Sequence, residues 1–157
     1  MAEKQSIPRF LRGILGDPDL RRIAETVNRI EGTTSGEIRV SIREKRHRKE
    51  RDMSLMDLAL ADFRRLGMDR TKEGTGVLLF ILFSERKLQI LADKGIYARL
   101  PQEGWDLLAV EIATHFRSGK FADGICYGVE ECGTLLAREF PHQPDDVDEL
   151  PDDVSIS

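Results

Sequence analysis

The sequence predicts an α/β fold, a small mixed β-sheet with helices on both faces. Three observations predict it: four segments with apolar residues at helical spacing, an uninterrupted apolar run at 77–83, and the order helix-strand-helix-strand-strand-helix-helix. Asp17-Pro18-Asp19 opens the first helix, with Asp17 placed as N-cap, Pro18 in the first turn and Asp19 at the positive dipole end. Leu20, Ile23, Ala24, Val27 and Ile30 repeat along one face until Gly32 stops it. Glu37, Ile38, Arg39, Val40, Ser41 and Ile42 alternate, the pattern of a strand with one face on the core.

Met53, Met56, Leu60 and Phe63 mark a second amphipathic helix over 52–66, closed by Gly67. The run 77–83 suits a central strand buried on both faces. Ser84-Glu85-Arg86 turns it back into a third strand over 87–93. A third helix starts just after Pro101 and buries Trp105, Leu108, Ile112 and Phe116. The fourth buries Ile125, Val129, Cys132 and Leu136 and ends near Phe140-Pro141.

A chain of 157 residues favours one domain, and 40% hydrophobic with 33% charged residues excludes disordered and fibrous classes. The formal charge of -4 is unevenly spread. Asp145, Asp146, Asp148, Glu149, Asp152 and Asp153 lie in a stretch without Lys or Arg, so 22 acids face 24 bases over 1–144. Cys126 and Cys132 lack C-x-x-C spacing and read as reduced core thiols. No run approaches a membrane span and the N-terminal stretch lacks the apolar region of a signal peptide, so a cytoplasmic protein without a membrane span is expected.

Topology supplies a site that no single motif does. If the first two strands are parallel and the third returns antiparallel, three strand ends share one rim of the sheet. That rim collects Glu37 beside Thr33, Thr34 and Ser35, then Glu73 and Thr75, then Asp93, with Gln102 and Glu103 a short loop away. The first two helices end there, adding partial negative charge. Carboxylates, hydroxyls and helix carbonyls are hard oxygen donors, which suit Ca²⁺, or Mg²⁺ retaining waters, and not an anion. Metal ligands are therefore expected among Glu37, Glu73, Thr75, Asp93 and Glu103.

Other chemistry has weaker support. A metal-dependent phosphatase using this rim would need cations for the phosphoryl oxygens, which Lys72, Lys94 or Arg39 could supply. The glycine-rich loop at 72–76 precedes a strand, however, whereas a phosphate cradle opens a helix. The three histidines are scattered. Residues 43–51 carry six bases against two acids at the opposite rim, without aromatic interleaving, which favours a solvated loop over a nucleic-acid partner. A third reading is an interaction protein in which that loop and the acidic segment engage an unknown protein partner or one another.

The stretch Thr34-Ser35-Gly36-Glu37-Ile38-Arg39-Val40 strongly resembles the first-strand signature of the TPM domain family, named for thylakoid lumen, photosystem II repair and receptor-modulating members. The resemblance continues through Phe63-Arg64-Arg65-Leu66-Gly67-Met68, Gly76-Val77-Leu78-Leu79-Phe80-Ile81 and Ala92-Asp93-Lys94-Gly95-Ile96. It closes with Trp105, His115-Phe116-Arg117-Ser118-Gly119-Lys120-Phe121, Gly124-Ile125, Phe140-Pro141 and Glu149-Leu150-Pro151-Asp152. Where family members usually carry Asn-Gly before the second strand, this chain has Thr75-Gly76. The resemblance implies a Rossmann-like three-layer α/β/α sandwich over residues 1–140, an acidic C-terminal tail over 141–157 and a soluble bacterial subgroup. It also implies a divalent-metal site, usually calcium. Plastid relatives are associated with acid phosphatase activity and photosystem II repair. The expected function is a divalent-cation module, with calcium as the expected ion and a binding or regulatory role; the alternatives are the metal-dependent phosphatase and the interaction protein.

Overall fold

The structure, a computed structural model, describes residues 7–144 and 151–157 of the chain. Asp145, Asp146, Asp148 and Glu149 of the predicted acidic tail lie outside the described residues. A four-stranded mixed sheet is built from β1 (Glu37–Arg43), β2 (Gly76–Leu82), β3 (Lys87–Ala92) and β4 (Ser155–Ile156), in the order β3-β2-β1-β4. β1 runs parallel to both β2 and β4, and β3 is antiparallel to β2. The helices are α1 (Asp17–Glu31), α2 (Leu55–Arg65), α3 (Lys94–Tyr97), α4 (Gln102–Arg117) and α5 (Phe121–Glu139).

All seven residues of β2 are buried, as its unbroken apolar run requires. Alternate side chains divide the core. Val77, Leu79 and Ile81 join Ile38, Val40 and Ile42 in a large cluster with α1, α4 and α5, whereas Leu78, Phe80 and Leu82 pack under α2 with Leu58, Phe63 and Met68. Helices therefore cover both faces, giving the expected three layers.

The first helix starts one residue earlier than an Asp17 cap would place it: Asp17 is its first helical residue and not its cap. Gly16 holds the cap position, and Asp19, three residues on, accepts the Gly16 N–H at 2.9 Å. Ser54 caps α2 by accepting the Asp57 N–H, so α2 is shorter than the predicted 52–66. Both cysteines are buried free thiols, and burial pushes the Cys132 thiol up to about 12. No helix among the described residues is long and apolar enough to cross a membrane.

Two features depart from the alternation read along the sequence. β1 is buried on both faces, because Glu37, Arg39, Ser41 and Arg43 lie on the α2 side, beside Leu78, Phe80 and Leu82 of β2. The tail region 151–157 adds β4, with Val154 1% exposed in the core. Its polar residues tie it to its neighbours at the surface: Asn28 Nδ2 donates to Asp152 at 2.8 Å, Arg65 to the Ser155 hydroxyl at 3.3 Å, and Arg39 stands 3.9 Å from Asp153.

α5 approaches α1 at Gly133, where a Cβ would lie 2.3 Å from Ile30 Cγ2, a branch methyl held close to its backbone. Gly133→Ala gains about 1 kcal/mol of helix propensity but overpacks this contact at about 1–3 kcal/mol. We expect net destabilisation in urea melts, and a double variant with Ile30→Ala that is less destabilised than the sum of the two single changes.

Candidate functional site

The predicted rim exists. Glu37 pairs with Gly76 at the start of β1 and β2, and its N–H donates to the Thr75 carbonyl at 2.9 Å. The Asp93 N–H donates to the Gly76 carbonyl at 2.8 Å just beyond β3. Glu37, Gly76 and Asp93 thus stand in line across three adjacent strands, with the outer Cα atoms about 10 Å apart from two strand spacings. Glu37 and Thr75 are buried, at 7% and 8% exposure. Met68 fills the space above Gly76, its Cε 3.4 Å from where a Cβ would sit, so a thioether lies between the two acidic positions on the α2 face.

Asp93 is the best-defined acid. Its carboxylate caps the one-turn helix α3 by accepting the Lys94 N–H at 2.8 Å. Gly74, at φ +65°, turns the preceding loop back over it; a Cβ there would lie 3.5 Å from Asp93 Oδ2. Gly95 closes the contact: its N–H donates to the Gly74 carbonyl at 3.0 Å, and a Cβ would lie 2.5 Å from the Glu73 carbonyl oxygen and 2.6 Å from that of Gly74. Asp93 and two main-chain oxygens are therefore gathered within one small loop. The Glu73 side chain is exposed, and Glu103 is exposed on the first turn of α4, separated from Asp93 by α3.

Helix C-termini bring partial negative charge to this rim, offset at α5 by Arg99, whose guanidinium donates to the Glu139 carbonyl at 3.2 Å. α1 and α2 end here, and so does α5, whose Phe140 carbonyl accepts the Ser35 N–H at 2.9 Å and the Thr34 hydroxyl. The Thr33 hydroxyl is held by the Ile30 carbonyl. The threonines thus dock helix ends. Among the described residues, no three of His, Cys, Asp and Glu gather as a metal-binding group.

A family profile for the TPM domain matches residues 11–135, which contain the whole predicted rim. The chain belongs to the TPM domain family. Its structure is similar to that of the BA42 protein from the psychrophilic bacterium Bizionia argentinensis, with a TM-score of 0.81 and 33% identity over 91% of this chain and 95% of that one. It also shares its fold with the N-terminal domain of a protein from P. gingivalis, at a TM-score of 0.68 and 23% identity over 83% of each chain. No curated protein matches.

At the opposite rim of this TPM domain the basic run is partly knotted into the fold. Arg43 forms a two-pronged pair with Glu50, one contact at 3.0 Å, and Arg46 binds Glu85 while donating to the Glu50 and Met53 carbonyls. Lys45, Arg48, Lys49 and Arg51 remain exposed. Arg43 holds the Glu50 carboxyl below the usual carboxylate range.

Sequence reasoning missed a residue at this rim. Arg86, in the β2-β3 turn, has φ +52° and is the only non-glycine at positive φ among the described residues. For an L-residue that conformation costs on the order of 1–2 kcal/mol. The signal was present in Ser84-Glu85-Arg86, a tight hairpin turn without the glycine or asparagine that left-handed backbone favours.

Two outcomes test this geometry. Gly95→Ala should destabilise by about 1–3 kcal/mol, because the clashing atoms are backbone and cannot swing aside, and amide exchange should quicken at Gly95 and Ile96. Glu50→Gln should cost about 2–3 kcal/mol at pH 7. Since the Glu50 pKa is lowered on folding, its contribution is complete above the ordinary carboxylate range and lost as pH falls through the lowered value. Denaturation curves should show the gap between wild type and Glu50→Gln narrowing as pH falls below the ordinary carboxylate range.

Proposed function

We propose that this TPM domain is a divalent-cation module, taking Ca²⁺, or Mg²⁺ with retained waters, at the rim centred on Asp93. The observation that supports it most is the turn around Asp93, where a carboxylate and the main-chain carbonyls of Glu73 and Gly74 are folded into one short stretch at the rim that receives helix C-termini. The donor set fits the chemistry, since carboxylate, hydroxyl and main-chain oxygens are what these hard cations take. With no cluster of three acidic, His or Cys side chains among the described residues, an ion here draws on at most two carboxylates and completes its shell with carbonyls and water. Glu37, Glu73, Thr75 and Glu103 border the same rim and are the further candidate donors.

An ion in this place neutralises the helix ends and ties the 71–75 loop to α3, a binding and regulatory role and not a catalytic one. Calorimetry with CaCl₂ and MgCl₂ on wild type, Asp93→Asn, Glu37→Gln and Glu73→Gln tests it. Saturable heat in wild type and a raised melting temperature with metal are expected, with Asp93→Asn weakening binding about tenfold or more. Silence in both readouts, or an affinity that Asp93→Asn leaves unchanged, overturns the reading.

A further inference from the structure

A hollow lies at the rim opposite the carboxylates, on the side of the sheet covered by α4 and α5. Its volume is about 590 Å³, within the range of roughly 300–1,000 Å³ in which small ligands are enclosed. Ile81, Phe83, Phe116 and Phe121 supply its apolar wall, and Ile14, 43% exposed, lies at its edge. The rings are continuous: Phe83 meets Phe121 edge-on at 5.7 Å, and Phe121 meets Phe116 at 4.4 Å.

Two exposed cations line the same hollow, Arg86 and Arg117. Neither forms an ion pair with a carboxylate among the described residues, in contrast to Arg22, Arg29, Arg43 and Arg46. Both arginines also border an adjoining hollow of about 330 Å³ along α4, so they stand where two concave surfaces meet. Arg86 is the residue held at φ +52°. Its neighbour Glu85 secures the turn by pairing with Arg46 and Lys87, so the Arg86 side chain is not what holds the hairpin. A strained position retaining a long cation where glycine would relax the backbone points to a use for that cation.

We propose that this hollow binds a small amphipathic carboxylate, its apolar body against Phe83, Phe116 and Phe121 and its carboxylate against Arg86 and Arg117. An apolar wall beside two cations without acidic partners is complementary to that class of molecule and to no neutral or cationic one. The guanidinium forks suit a carboxylate in particular, which each can engage with paired N–H donors. The site lies away from the Asp93 rim and does not depend on a metal there.

The full chain is titrated with decanoate below its micellar concentration, followed by calorimetry and amide NMR shifts, with decanol and decyltrimethylammonium as neutral and cationic comparators. Saturable one-to-one binding of decanoate is expected, with shifts centred on Phe83, Phe116 and Phe121 and at least tenfold weaker binding of both comparators. Arg117→Gln and Arg86→Gly should each weaken decanoate about tenfold, and Arg86→Gly should melt no lower than wild type because the turn is relaxed. Non-saturating uptake, equal affinity for decanol, or undiminished binding by the Arg86→Gln/Arg117→Gln double variant overturns the proposal. So does loss of binding only in variants that melt lower, or a dimer in the absence of probe that either arginine change dissociates, which would make the hollow a face between copies of the chain.

Discussion

The fold depends on β2 being dry on both faces. A strand whose every side chain is apolar and buried has nothing to offer water, so a layer must cover each side of it, and partner strands must take its backbone hydrogen bonds. α1, α4 and α5 cover one side through Val77, Leu79 and Ile81, and α2 covers the other through Leu78, Phe80 and Leu82. With β1 parallel and β3 antiparallel, both ends of the sheet become loop-bearing rims of different character. One collects Asp93, Glu37 and three helix C-termini, and the other the arginine-rich turns. The two rims follow from the position of a single strand.

On β1 a second constraint is visible. Glu37, Ser41 and Arg43 are buried polar residues beside the apolar face of β2, and burial of such groups is costly unless partners come with them; the Ser41 hydroxyl has none among the described residues. Glu50 comes from the following loop for Arg43, and Asp153 approaches Arg39 from the C-terminal segment. Asp62 on α2 is itself 4% exposed and bound by Arg65, which also reaches Ser155. A polar seam therefore joins β1, α2 and β4 where a purely apolar interface would have joined them less selectively.

Much of this was legible in the sequence. The seven-residue apolar run identified the central strand because no surface strand tolerates it, and the rim followed from strand directions alone. TPM-family membership agrees with both. What escaped notice was short or long-range. α3 is four residues, too brief for periodicity, although Asp93 before Lys94-Gly95 is a capping signal in hindsight. The alternating polar residues of β1 look like a solvent face in the sequence, and only the positions of Glu50, Asp62 and Asp153 show otherwise. β4 is two residues following an acidic stretch, and its pairing partner lies far back along the chain. No local pattern encodes that contact. The closeness of the Glu73 and Gly74 carbonyls to Gly95 is likewise a property of tertiary packing and not of composition.

The lateness of β4 bears on how the molecule is made. β1 is an interior strand only after residues 151–157 have joined it; before then its outer side presents unpaired N–H and C=O groups from Ser41 to Glu44. Closing that side requires bringing together segments separated by most of the chain, an entropic step slower than forming the helices or the β2-β3 hairpin. Without residues 151–157 the described sheet has three strands and is open along β1, an edge of the kind that accepts extended segments. The brief β4, with Val154 as its anchor, covers this part of the β1 edge, the kind of edge at which edge-to-edge aggregation starts.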